Sequence, residues 1–102
     1  MAVESLVGLF VTDKDLYKKY REEMSPILKA YGGDFGYDFE VSKVLKSEVS
    51  EPINRVFTIF FENEESMNKF FSDEKYLEVR KRYYEPSVLA TTIISKYERE
   101  NR

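Results

Sequence analysis

Cysteine and histidine are both absent from the 102 residues of this chain. Without them the chain cannot build zinc sites of the Cys/His type, ligate haem through either residue, or pair a nucleophile with histidine. No disulfide bond can form, which fits a reducing compartment. A magnesium or calcium site made of carboxylates alone is compatible with the composition, but no loop has the spacing for one. We therefore expect no metal and no cofactor.

Long apolar runs and strong charge are also lacking. No stretch approaches the roughly 20 apolar residues that span a bilayer. The first residues, Met1–Ser5, have neither the basic start nor the apolar centre of a signal peptide. The net charge of −3 argues against a large surface for nucleic-acid phosphates. The expectation is a cytoplasmic protein that binds neither membranes nor nucleic acid.

Apolar and aromatic residues are abundant by comparison. They make up 42% and 16% of the chain, which places it among globular rather than disordered proteins. A chain of this length can bury one core. Residues 1–102 are therefore predicted to form a single domain, with 98–102 as a frayed tail.

The segment Arg55–Phe61 has the clearest strand pattern. It is β-branched and aromatic, and both of its alternating faces are largely apolar. Ser5–Val11 has the same two-sided pattern. Water is therefore excluded from both sides of these strands. The predicted helices can cover only one face of the sheet. We therefore expect a second copy of the chain to cover the other face.

The first helix is predicted after Thr12–Asp15, a pair close to a capping box. Pro26 lies inside the helical pattern, so a kink or break is expected near Met24–Ser25. Gly32–Gly33 ends the helix. Its apolar side chains recur at helical spacing: Leu16, Tyr20, Met24, Ile27, Leu28 and Tyr31.

The second strand is predicted at Asp34–Leu45, with one apolar and one polar face, as in an edge strand. The apolar face is assigned to Phe35, Tyr37, Phe39 and Val41. A polar turn at Ser47–Pro52 would join this strand to Arg55–Phe61 as a hairpin.

A second helical region begins after Asn63, the predicted N-cap, and bends at Ser72–Asp73. The last strand is predicted at Val88–Tyr97. The order β-α-β-β-α-β with right-handed crossovers gives an α+β, ferredoxin-like antiparallel sheet, in which the first and third strands are central.

Several short motifs resemble one known family over roughly Leu6 to Tyr97. This is a domain of unknown function, number thirteen-thirty in its series, within the dimeric α+β barrel superfamily. The resemblance implies a homodimer in which two sheets face each other as a barrel. It is carried by Val11–Asp13 with Tyr17 and Tyr20, by Ala30–Gly33, by Arg55 opening an apolar strand, and by Ser72–Tyr76.

One departure from the family pattern concerns the end of the third strand. Relatives usually have Glu-Phe-Pro-Ser there, whereas this chain has Phe60–Asn63. A role for that glutamate in relatives would not transfer to Phe60. The superfamily includes cofactor-independent monooxygenases, isomerase-like enzymes and ligand-sensing domains, so the fold alone does not choose a function.

Two function classes therefore stay open. One is a monooxygenase- or isomerase-like enzyme acting on a small, partly apolar molecule held between sheet and helices. The other is a non-catalytic homodimer, either small-molecule-binding or structural. No catalytic residue is assigned. The ligand-binding candidates are Arg55, Tyr37, Tyr76, Arg80 and Tyr20.

Each candidate also has a structural interpretation. Arg55 either pairs with a carboxylate on the neighbouring strand, such as Glu40, or holds an anionic ligand at the mouth of the barrel. Tyr20 either packs in the core or faces a ligand. Tyr76 and Arg80, one helical turn apart, form either a pocket wall or a helix rim from which the arginine reaches solvent.

Overall fold

The computed structural model describes residues 1–101, and these form one four-stranded sheet with helices on one side. The sheet order is β2-β3-β1-β4, and all neighbouring strands are antiparallel. The predicted ferredoxin-like α+β fold, with β1 and β3 central, is confirmed. The elements are β1 (Ala2–Val11), α1 (Lys14–Ala30), β2 (Gly33–Glu40), β3 (Arg55–Phe61), α2 (Glu64–Ser72), α3 (Glu74–Val79) with a π-helical turn (Arg80–Tyr84), and β4 (Val88–Arg99).

The helices pack against one face of the sheet, here called the covered face. Aromatic and aliphatic side chains from both layers fill the space between them. The opposite, open face has no helix on it in residues 1–101. Buried residues on the covered side include Val7, Leu9, Phe57, Ile59 and Phe61 from the sheet, and Tyr17, Tyr20, Met24, Leu28, Phe70, Tyr76 and Tyr84 from the helical layer.

Helix α1 is uninterrupted, so of the two alternatives predicted near Met24–Ser25, a kink or a break, the break is wrong. The hydroxyl of Ser25 donates to the carbonyl of Arg21 at 2.5 Å, which adds a hydrogen bond beside the one that proline cannot make. The N-cap is Asp13 rather than Thr12, since its carboxylate accepts from a backbone N–H of the first turn. The predicted end is confirmed: Gly32 has φ of +74°, where glycine avoids strain.

A β-bulge in β2 changes which side chains share a face. Phe35 lies opposite Ile59, and Asp38 lies opposite Phe57, so both point to the covered face. Tyr37 then points to the open face. The predicted assignment of Phe35 and Tyr37 to one face is wrong, because a bulge inserts an extra residue and reverses the alternation.

The connection between β2 and β3, residues 41–54, lies against the open face. Strand β2 ends at Glu40 rather than at Leu45. Asn54 anchors the end of the connection, because its side chain accepts from Val11 N–H and donates to Val11 O, both at 2.8 Å. Its backbone N–H donates to Leu9 O at 2.9 Å. One backbone hydrogen bond, from Val41 N–H to Asn54 O at 2.9 Å, continues the pairing of β2 and β3 beyond Glu40.

The predicted features of the second helical region are confirmed. Asn63 caps α2 by accepting from Ser66 N–H at 2.8 Å, and Asp73 caps α3 by accepting from Tyr76 N–H at 3.0 Å. Strand β4 continues past its predicted end, because residues up to Arg99 pair with β1. None of the helices in the described part of the chain is long and apolar enough to cross a membrane.

Candidate functional site

The five candidate residues fall in three separate places. Arg55 lies at the rim of the covered face, where β3 begins. Tyr20, Tyr76 and Arg80 come together beneath α1 and α3. Tyr37 lies on the open face, with the sheet between it and the other four. The structure therefore offers three locations to weigh, rather than one pocket lined by all five.

At the rim, two arginines share one carboxylate. Arg55 donates from Nε and Nη2 to Asp38, both at 2.8 Å. Arg21 on α1 donates from Nη1 and Nη2 to the same carboxylate, at 3.0 and 3.3 Å. Its Nε donates to the hydroxyl of Tyr17 at 2.8 Å. We call Arg21, Asp38 and Arg55 the rim cluster.

Three elements bring the rim cluster together. The bulge in β2 turns Asp38 toward α1, and Arg21 extends over the rings of Phe35 and Phe57, with 3.9 and 4.8 Å from its guanidinium carbon to the ring centroids. Two aromatic faces and one carboxylate thus fix the guanidinium of Arg21. The sequence did not indicate Arg21, whose partners become adjacent only in the folded sheet.

The predicted partner of Arg55 was a carboxylate of the neighbouring strand, with Glu40 as the example. The strand is correct, but the carboxylate is that of Asp38. Glu40 lies opposite Arg55 in the strand register, yet it accepts from Lys14 Nζ at 3.2 Å in a largely exposed pair. Asp38 and Glu40 lie two residues apart on the same face of β2, and Asp38 is the carboxylate that Arg21 of α1 also reaches.

Opposing effects act on the pKa of Asp38. Burial alone raises it, but the hydrogen bonds from Arg55 and the positive charges of both arginines outweigh burial, so the pKa lies below its usual range. The same hydrogen bond raises the pKa of Arg55. Asp38 is therefore charged at neutral pH, and it neutralises only one of its two guanidinium partners.

A cavity of about 330 Å³ opens beside the rim cluster, between the start of α1 and the start of β3. It is here called the rim cavity. Its charged lining contains more cations than anions, which makes it a candidate for binding an anion. Those charged residues are Arg21, Arg55, Lys14, Lys18, Asp15 and Glu40.

The second location is a cluster of buried tyrosines. The hydroxyls of Tyr20 and Tyr76 are 2.9 Å apart and hydrogen-bonded, and the ring of Tyr84 lies 5.0 Å from that of Tyr20. Arg80 lies over the Tyr84 ring at 4.8 Å. Burial raises the pKa of Tyr20, so its hydroxyl stays neutral. These rings pack as core residues. They fill the space between sheet and helices in which a substrate was expected.

The third location is the open face. Tyr37 is 66% exposed and stacks on Phe39, with 5.9 Å between ring centroids. Farther along the face, a cavity of about 940 Å³ lies between the sheet and residues 41–49. It is here called the open-face cavity. Its lining is mainly apolar, from Val44, Val49, Ile53, Val56 and Ile94, with Lys43 and Lys46 at the connection.

Glu4 on the open face was missed by sequence reasoning. It is only 6% exposed, and it accepts hydrogen bonds from the Tyr97 hydroxyl and, at 3.1 Å, from Arg99 Nη1. The period-two pattern of Leu6, Gly8 and Phe10 could have indicated it, because extending that pattern backwards places Glu4 on the same face. Residues 1–101 contain no group of three metal-ligating side chains.

The fold resembles solved structures of low sequence identity. A protein of unknown function from Rhodopseudomonas palustris aligns with a TM-score of 0.82 at 14% identity, covering 99% of this chain and 84% of that one. A Dabb family protein with a ferredoxin-like fold from Mesorhizobium loti aligns with a TM-score of 0.67 at 12% identity, covering 98% of both chains. At these identities the similarity supports the fold alone.

A third structure is a protein of unknown function from Bacteroides fragilis, described as dimeric with a ferredoxin-like fold. It has a TM-score of 0.52 at 13% identity and covers 95% of both chains. No curated protein matches the sequence. The model of one protein family matches residues 5–97, which agrees with the resemblance seen in the sequence. The chain therefore belongs to the family described as Domain of unknown function (DUF1330).

Proposed function

We propose that the chain forms a homodimer through the open faces of two sheets, and that each open-face cavity binds a small, partly apolar molecule. The observation that carries this proposal is the open face itself, with its uncovered apolar side chains and its cavity. Tyr37, Phe39 and Ile94 are 66%, 55% and 48% exposed there. Exposed apolar surface of this kind marks a binding surface.

Dimerisation is supported by the two central strands. Leu6, Phe10 and Val56 point to the open face and are half-buried, although no helix packs on them. Each would lose further accessible surface against a second sheet, at about 25 cal/mol per Å² of apolar area. The similar Bacteroides fragilis protein, described as dimeric, adds a precedent for assembly of this fold.

Ligand binding is supported by the size and lining of the open-face cavity. Small-molecule sites have volumes of about 300–1,000 Å³ and mostly apolar walls with a few polar groups. The open-face cavity meets both conditions, with about 940 Å³ and lysines only at the connection. A partner sheet would close its open side, so the dimer and the binding site support each other.

Binding without turnover is the function that the geometry supports best. The space between sheet and helices, where an enzyme substrate was expected, is filled by the tyrosine cluster. The titratable groups that line the open-face cavity are Lys43, Lys46 and Glu48, all in the connection. A monooxygenase- or isomerase-like reaction would have to use these groups or the reactivity of the substrate itself.

Native mass spectrometry of freshly purified protein tests the dimer. The wild type should be dimeric at micromolar concentration, and Phe39→Lys should be mainly monomeric, because a charge would be buried between the sheets. Leu77→Lys is the matched control, since Leu77 is a comparably exposed apolar residue on α3. A monomeric wild type, or a dimer that Leu77→Lys disrupts equally, would overturn the proposed interface.

The same spectra test the ligand. A reproducible small mass on the wild-type dimer should disappear in Val49→Trp, which fills the open-face cavity from the connection without altering the sheet. The dimer should persist in that variant. A bound mass that Val49→Trp retains would place the ligand elsewhere. Wild-type protein that carries no extra mass, and shows no thermal stabilisation by any compound in a small-molecule screen, would argue for a purely structural dimer.

A further inference from the structure

We propose that the rim cavity is a second binding site, on the opposite side of the sheet from the open-face cavity. It binds the carboxylate group of a small organic anion, and Arg55 is the residue that holds this group. The proposal rests on the hydrogen bonds of Arg55, on its fixed position and on the local charge.

The first argument is the unused edge of the Arg55 guanidinium. A guanidinium has two edges that can each bind a carboxylate through two N–H groups. The Nε–Nη2 edge of Arg55 is occupied by Asp38. No residue from 1 to 101 accepts a hydrogen bond from Nη1, so the Nη1–Nη2 edge remains available. Arg55 lines the rim cavity.

The second argument is that Arg55 is already held in place. Two hydrogen bonds to Asp38 fix the plane of its guanidinium, which lies 5.1 Å from the centre of the Tyr17 ring. Its side chain is 24% exposed, so the group is only partly accessible to water. An arginine ordered in advance loses little conformational entropy when it binds a ligand. Arg55 is therefore better suited to capture an anion than a freely moving surface lysine.

The third argument is charge. Arg21, Arg55, Lys14 and Lys18 stand against three carboxylates, those of Asp15, Asp38 and Glu40, which leaves one positive charge at the rim. The chain as a whole carries −3, so this surplus is local. One carboxylate would neutralise it, whereas a phosphate monoester carries close to two negative charges. The volume of about 330 Å³ restricts the ligand to a small molecule.

The experiment is an NMR titration of the full chain with benzoate, and in parallel with inorganic phosphate. In the wild type, benzoate should shift the Nε–H signals of Arg55 and Arg21 and the amide of Val11, and it should bind more tightly than phosphate. Arg55→Lys keeps the charge but lacks the second edge. Its affinity for benzoate should fall by about tenfold, as expected when a charge-assisted, two-pronged contact is lost.

Asp38→Asn provides the opposite change. The amide oxygen of asparagine can still accept from the Arg55 guanidinium and hold it, while the rim gains one net positive charge, so benzoate affinity should rise by about fivefold or more. Glu65→Gln is the matched control, because it removes one negative charge from α2, outside the rim cavity. Its benzoate affinity should stay within about twofold of the wild-type value, since exposed distant charges are screened.

Several outcomes would overturn the proposal. Equal benzoate affinity in the wild type and Arg55→Lys would show that Arg55 serves only to hold Asp38. An equal rise in Asp38→Asn and Glu65→Gln would show general charge attraction. Tighter binding of phosphate would assign the site to a different oxyanion. If Arg55→Lys fails to fold, the shift of the wild-type Arg55 Nε–H signal and the benzoate affinity of Asp38→Asn still test the proposal. Neither measurement depends on whether the chain forms the proposed dimer.

Discussion

The two faces of the sheet are built from alternate residues of the same strands, yet they differ in how they are packed. On the covered face, Phe57 and Phe61 are buried against α1 and α2. On the open face, Tyr37 and Phe39 stack on each other in contact with solvent. Hydrophobicity alone does not separate the two faces.

The difference arises from the connections. The helices of both crossovers, α1 between β1 and β2 and α2–α3 between β3 and β4, pack on the same side of the sheet. The other side receives only the connection of residues 41–54, which contacts the face through Ile53 near Gly8. This apolar face with little cover is the surface through which we propose that two chains associate. Substitutions on the two faces should therefore act on different quantities: folding for the covered face, association and ligand binding for the open face.

The largest effect is expected for Phe70→Ala on the covered side. Phe70 is fully buried, and its ring lies 4.2 Å from that of Tyr76. Removing it should lower the free energy of unfolding by about 3–5 kcal/mol, through lost transfer energy and a cavity. Urea unfolding measures this change.

Phe39→Ala is the same substitution on the open face. Because Phe39 is exposed in the single chain, its loss should cost the monomer less than about 1 kcal/mol. It should instead weaken the dimer, as measured by sedimentation at several concentrations. If Phe70→Ala and Phe39→Ala lower the free energy of unfolding by similar amounts and neither changes association, the two faces do not have separate roles in folding and in association.

A glycine on each face gives the next comparison. A Cβ on Gly33 would lie 2.4 Å from Leu28 Cδ1 and 3.0 Å from a ring carbon of Phe61, so Gly33→Ala should destabilise the fold by about 1–3 kcal/mol. A Cβ on Gly8 would lie 3.1 Å from Cδ1 and Cγ2 of the Ile53 side chain, which has to move by only a few tenths of an ångström. Gly8→Ala should therefore change unfolding by less than about 1 kcal/mol while altering ligand binding at the open-face cavity.

Thermal unfolding and native mass spectrometry of the two glycine variants check this pair. A Gly8→Ala loss as large as that of Gly33→Ala would show that the connection is packed as tightly as the helices. The open-face cavity would then be a rigid part of the core rather than an adaptable site.

The strands and caps were predictable where the signal is local. Arg55–Phe61 was predicted with its correct ends, because a short β-branched and aromatic run excludes a helix. Asn63 and Ser72–Asp73 were recognised because capping requires particular side chains at particular positions. The two-sided apolar pattern of β1 and β3 also indicated correctly which strands are central.

The bulge in β2, the end of that strand and the acceptor of Arg55 could not be predicted, because they depend on contacts that the local sequence does not encode. Residues 34–39 alternate regularly, and this alternation conceals the bulge that separates Phe35 from Tyr37. Residues 41–45 have strand-like composition, but in the folded chain they follow β2 as part of the connection that lines the open-face cavity. For the rim, the sequence predicted an arginine–carboxylate pair but not Asp38 as its acceptor, since Arg21 of α1 reaches the same carboxylate only in the folded chain.

A smaller effect is expected from Asp38→Asn as a function of pH. The pKa of Asp38 is lower in the folded chain than its ordinary value of about 3.9. A lowered pKa stabilises the fold above the ordinary value, and this stabilisation is lost as the pH falls below it. Wild-type stability should therefore decline between about pH 5 and pH 2 more steeply than that of Asp38→Asn.

Urea unfolding at a series of pH values measures the two slopes. Glu23→Gln is the control, since Glu23 is an exposed carboxylate on the same helix as Arg21. Parallel slopes for the wild type and Asp38→Asn would show that the rim cluster contributes nothing that depends on proton binding. Association through the open face should not affect these slopes if unfolding is followed at concentrations where the chain is monomeric.

The smallest effect is expected from Glu40→Gln, two residues along β2 from Asp38. Its ion pair with Lys14 has side chains that are 71% and 74% exposed, so water and salt screen it. The loss of unfolding free energy should be less than about 0.5 kcal/mol and should vanish at high salt. Chemical denaturation at low and high ionic strength measures it. If Glu40→Gln lowers the free energy of unfolding as much as Asp38→Asn does, charge alone stabilises the rim. If its effect is negligible, the shared, half-buried carboxylate of Asp38 is the contact that joins α1 to the covered face.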